Sequence, residues 1–101
     1  MWLFALFDLP VDSSEARHQY TRFRKSLIKQ GFMMLQFSVY ARFCGSDERA
    51  DTIRKRIKQV LPQEGEVRIM AITDHQFGKM EVFTGKKRVE AEKPPQQLSF
   101  F

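Results

Sequence analysis

The chain is short and basic: 101 residues, with 17 Lys and Arg against 12 Asp and Glu, a formal net charge of +5 and a pI near 9.7. That length sets one domain with a modest core, and the positive balance suits a polyanion such as nucleic acid. The single cysteine, Cys44, excludes an internal disulfide, no Cys/His spacing matches a zinc site, and no apolar run approaches the ~20 residues of a membrane span.

"WLFALF", Trp2 to Phe7, reads as a strand that stops at Asp8 and is punctuated by Pro10. The start lacks a basic leader, so no secretory signal is expected and a reducing cytoplasm is the expected compartment. Apolar residues do not alternate with polar ones here. Both faces therefore want cover: Leu3, Ala5 and Phe7 on one, Trp2, Phe4 and Leu6, with Asp8, on the other.

"DSSEARHQYTRFRKSLIKQG" reads as a helix, with Asp12 and Glu15 at capping-box spacing and Ala16, Tyr20, Phe23 and Leu27 as its apolar stripe. Residues 32 to 43 read as extended. They form either one long strand or two short ones with a turn at Gln36 to Ser38. A second helix follows, capped by Ser46, striped by Ala50, Ile53, Ile57 and Val60, and stopped by Pro62. Residues 65 to 74 read as a strand and 80 to 85 as a shorter one. From Lys86 the chain is charged and then Pro-rich, which reads as a linker, before the apolar "QLSFF".

Split at 36 to 38, the order is βαββαβ: an α+β, ferredoxin-like sheet with both helices on one face. Residues 1–85 form that domain and 86–101 a linker with a terminal strand or docking tail. Two helices cover one face only. The other carries Trp2, Phe4 and Leu6, and a second copy related by two-fold symmetry is the expected cover.

Asp8 is the candidate for chemistry. The turn at 36 to 38 and residues 62 to 66 fall at its end of the sheet, whereas Asp74 falls at the opposite end, so Asp8 has little carboxylate company in its own chain. Mg²⁺ commonly uses one or two carboxylates, and a face-to-face dimer brings two Asp8 side chains toward one ion. The plainer reading is a strand-end Asp bonded to the following turn, which spacing alone favours. His18 and His75 show no pattern, and neither a nucleophilic triad nor a Gly-rich phosphate loop is present. On the first helix Arg17 and Arg24 share one stripe and Arg22, Lys25 and Lys29 another, suited to a duplex backbone or to a merely solvated face. No aromatic is interleaved for base stacking, so shape and backbone readout is expected.

"FDLP", "RFRKSLIKQGF", "QFSVYAR" and "ITDHQFGKM", in that order and spacing, resemble the CRISPR-associated endoribonuclease family. This is the small dimeric subunit that works with the CRISPR integrase in spacer acquisition. The resemblance implies a ferredoxin-like homodimer packed through its open sheet faces, with C-terminal segments crossing to the partner's sheet. It implies a divalent ion, Mg²⁺ or Mn²⁺, at Asp8, with Ser38 in the nearby turn. The family's Tyr before that aspartate is Phe7 here, so that hydroxyl is lost. Two functions follow: a scaffold that holds duplex DNA and bridges integrase subunits, or a metal-dependent nuclease on RNA or DNA. One carboxylate per subunit is sparse for a two-metal site, which ranks the scaffold first. The tail has three readings: a frayed end, a strand added to a sheet edge, or a Leu98, Phe100 and Phe101 anchor resembling the motif that docks on the bacterial sliding clamp. An RNA-recognition module lacks its aromatic strand pattern here, and a small-molecule sensor rests on fold alone.

Overall fold

The computed structural model describes residues 1–95; the tail reading at 97–101 lies outside them. In chain order the elements are β1 (Trp2–Asp8), α1 (Ser14–Lys29), β2 (Met33–Gln36), β3 (Val39–Phe43), α2 (Asp47–Lys58), β4 (Glu66–Ile72), α3 (Asp74–Gly78), β5 (Val82–Thr84) and β6 (Lys87–Val89). Among the described residues, no helix is long and apolar enough to cross a membrane.

Local chemistry sets these boundaries. Ser13, not Asp12, caps α1: its Oγ accepts the Ala16 N–H at 3.0 Å. Glu15 does not close the expected box, because its carboxylate accepts from Gln19 one turn along. Asp12, Ser13 and Ser14 can all cap, and sequence spacing does not choose among them. Ser46 caps α2 as expected, accepting from Arg49 N–H. Val60 falls past the end of α2 and is exposed, so it drops out of the apolar stripe. Between β2 and β3, Ser38 adopts a left-handed φ of 63°. That turn settles residues 32 to 43 as two strands.

Four strands form one sheet in the order β2-β3-β1-β4, and every neighbouring pair is antiparallel. This mixed α+β arrangement is compatible with a ferredoxin-like fold. Strand β1 lies inside the sheet, pairing Phe4 with Ala41 on one side and with Met70 on the other. Its two faces divide as the period of two requires. Leu3, Ala5 and Phe7 join Phe23 and Leu27 of α1 and Ile53 and Ile57 of α2 in the main core. The Phe7 ring meets Phe23 edge-on at 5.1 Å. Burying each such side chain contributes about 1.5–3 kcal/mol.

The opposite face departs from expectation. Trp2 and Phe4, expected to be uncovered, are 1% and 7% exposed within the single chain. Phe77 covers them, its ring stacked on Trp2 at 3.9 Å and edge-on to Phe4 at 5.9 Å. Phe77 sits in α3, between the two strands read from the sequence at 65 to 74 and 80 to 85. Thr73 and Gln76 form a reciprocal capping box that starts this one-turn helix. The oily face is thus closed at its Trp2 end by the chain itself, while Leu6 remains half-buried toward the Asp8 end.

The reading of Lys86 onward as a linker also changes. Lys87–Val89 pairs antiparallel with β5 across the Gly85-Lys86 turn, where Gly85 supplies the positive φ of 62°.

Candidate functional site

Asp8 is the last residue of β1 and is exposed. It points to the same sheet face as Trp2, Phe4 and Leu6, but at the far end from α3. The Phe7 N–H donates to the Ser38 carbonyl at 3.1 Å, which ties the β2–β3 turn to this end of β1. Ser38 Oγ lies 3.5 Å from the Tyr20 hydroxyl of α1. Asp74 is at the opposite end, paired with the Met1 ammonium. The sheet therefore brings Asp8 and Ser38 together and keeps Asp74 away.

Asp8 has closer carboxylate company than its sequence position implied. Glu66 is its register partner on β4. Residues directly opposite in an antiparallel pair share a face, with Cβ atoms about 5 Å apart, and like charges there repel. Arg68, two residues along β4 on the same face, approaches Glu66 with Nη2 3.6 Å from Oε2. Both side chains are largely exposed, so this pair contributes little stability. The signal for this is register: chain order puts residues 62 to 66 at this end, and only the strand pairing sets Glu66 opposite Asp8.

Gly65 holds this end together. Its φ is +93°, and a Cβ there would come within 2.7 Å of the Asp8 carbonyl and 2.6 Å of the Leu9 side chain. Only glycine lets β4 begin so close to the residue that ends β1.

The donor set has defined chemistry. Carboxylate oxygens suit hard divalent ions, and Mg²⁺ or Mn²⁺ held by one or two of them keeps most of its waters. The Asp8 carboxylate makes no hydrogen bond or ion pair among the described residues, so its oxygens are available. Among those residues, no group of three or more His, Cys, Asp or Glu forms a metal cage. The arrangement fits a hydrated ion at Asp8, with Glu66 as a second oxygen source.

The cations of α1 do not form one patch. Arg22, Lys25 and Lys29 are exposed on the helix. Arg24 is half-buried, and Arg17 turns back to donate to the Val11 carbonyl at 3.2 Å. None of the five is ion-paired among the described residues. Lys55, Arg56 and Lys58 in the last turn of α2 add basic charge to the same helical layer. The run "RKRIK" displays them in the sequence, interleaved with the apolar stripe at Ile57.

Fold and site together define a small α+β protein with an acidic rim at one end of an antiparallel sheet and a basic helical layer behind it. Residues 1–80 match the family described as CRISPR associated protein Cas2. Among curated relatives, the chain is 50% identical over 101 residues to the CRISPR-associated endoribonuclease Cas2 of Parvibaculum lavamentivorans, covering 100% of both chains. It is 50% identical to the protein of that name from Flavobacterium psychrophilum, covering 100% of this chain and 88% of the relative. With that from Paracidovorax avenae the identity is 43%, covering 100% and 94%. The chain belongs to the Cas2 family.

Proposed function

We propose that this protein is the scaffold subunit of CRISPR spacer acquisition. Two copies pack through the open sheet faces into a ferredoxin-like dimer, lay a DNA duplex on the helical layers, and bridge integrase subunits in the cytoplasm, where buried Cys44 stays reduced. The observation that carries this reading is the exposed row Arg22, Lys25 and Lys29, unpaired among the described residues, in a member of the family. Each phosphate a cation neutralises adds ~0.9 to the salt slope. Reversing all three to Glu should weaken duplex binding and lower that slope by about 2–3. An unchanged affinity and slope would remove α1 from the binding surface.

The C-terminal segment adds to the partner's sheet in this reading. Deleting 97–101, with Leu98, Phe100 and Phe101, should weaken the dimer or its integrase association. Loss of sliding-clamp capture alone, with the dimer intact, would favour the docking reading.

A second reading is favoured by the opposed Asp8 and Glu66 carboxylates and the fixed Ser38 turn: a metal-dependent endonuclease that cleaves RNA or DNA. The relatives' names state endoribonuclease. A bound Mg²⁺ or Mn²⁺ supplies charge stabilisation at a phosphoryl oxygen and a more acidic water. Asp8 would hold the ion, with Glu66 adding negative charge on the same face and Arg68, beside Glu66, offsetting that charge. Asp8→Ala should abolish Mg²⁺-dependent cleavage while duplex binding persists. Spacer integration that survives this change assigns the scaffold role independently of cleavage; integration that fails with dimer and DNA binding intact reverses the ranking.

A further inference from the structure

We infer that Phe37 is a stacking platform for an unpaired nucleobase, set beside the Asp8 carboxylate. The inference rests on the second reading, in which a phosphodiester meets Asp8, and adds the residue that receives the neighbouring base. Phe37 is 79% exposed, the most exposed large hydrophobic side chain among the described residues. A lone exposed phenylalanine is ordinary, so exposure alone assigns nothing.

Two independent observations point to a ligand. The ring has an aromatic neighbour: Tyr20 lies beside it, near-parallel at 20° and offset, with 6.0 Å between centroids. Tyr20 is itself wedged against Phe7 at 5.9 Å and reaches Ser38 through its hydroxyl. The turn that carries Phe37 is pinned to β1 by the Phe7 to Ser38 backbone bond. The turn is thus tied to the sheet while the ring stays open to solvent, so a base can reach its face.

The second observation is the company Phe37 keeps. Leu6, Asp8, Phe37, Ser38, Glu66 and Arg68 line one surface hollow. An aromatic ring, a pair of carboxylates and an arginine around one hollow match the parts of a nucleotide: a π-face, and a phosphate that takes a cation or a divalent ion. Arg17 and Arg24 stand three residues before and four after Tyr20, on its stripe of α1. A strand entering past α1 meets positive charge first. Every base has a π-face, so such stacking tolerates any sequence. It requires an unpaired base, which makes the ligand single-stranded nucleic acid.

The test uses the full chain and a single-stranded oligoribonucleotide carrying one 2-aminopurine, whose emission falls on stacking. The wild type should quench the probe, Phe37→Ala should bind about tenfold more weakly with little quenching, and Phe37→Trp should restore both. Phe37→Leu should resemble Phe37→Ala, because it keeps apolar bulk without the ring. Sedimentation of each variant checks the other occupant, a second copy: if affinity is lost only in step with dimer dissociation, Phe37 is a subunit contact and the inference fails. Equal affinity and quenching in Phe37→Ala, with the wild type binding well, overturns the inference alone. A wild type that binds no single strand at all overturns it together with the reading at Asp8.

Discussion

The two faces of the central sheet are built differently. The helix-side face is sealed along its length: Leu3, Ala5 and Phe7 lie under Phe23, Leu27, Ile53 and Ile57, all buried. The opposite face is divided. Its Trp2 end is closed by Phe77, a single ring from a one-turn helix, and its Asp8 end is open and charged. One face is committed to stability. The other spends its first half on stability and keeps its second half accessible, and a charged, exposed strand end fits a site better than it fits a core.

That contrast can be broken from several directions. Phe23→Ala should cost the most, about 4 kcal/mol in urea denaturation, because it opens a cavity between α1 and β1. Phe77→Ala should cost about 3 kcal/mol; a loss near zero would mean that α3 does not seal the Trp2 end. Gly65→Ala should cost about 2 kcal/mol through the positive φ and the clash with the Asp8 carbonyl. In the nuclease reading it should also lower Mg²⁺-dependent cleavage, although Gly65 carries no functional group. Asp8→Asn should change stability by less than about 0.5 kcal/mol, with relief of the Glu66 repulsion acting in the stabilising direction. A large destabilisation there would return Asp8 to a structural role.

Much of this was legible from period and caps. The period of two in "WLFALFD" assigned each β1 side chain to its face, and Ser46 marked the start of α2. What escaped depends on contacts between distant segments. Glu66 meets Asp8 only through the β1–β4 register, which a list of residues does not contain. Helix α3 is five residues long, too short for an apolar stripe, although the Thr73 and Gln76 capping pair was visible. Phe37 looked like one more apolar residue in a run from Phe32 to Phe43. Its exposure follows from the left-handed Ser38 turn, and its aromatic neighbour is a tyrosine 17 positions earlier. The basic stripes of α1 were legible as residues but not as a surface, because Arg17 and Arg24 are partly taken up by the fold.

Trp2 is the only tryptophan, so its fluorescence reports directly on the divided face. Acrylamide quenching across a wide dilution series, with the subunit state followed by sedimentation, tests whether the chain seals the Trp2 end itself. Weak quenching that does not change with dilution is the predicted result, since Phe77 travels with Trp2. Quenching that rises as subunits separate would contradict it and make a second copy the true cover.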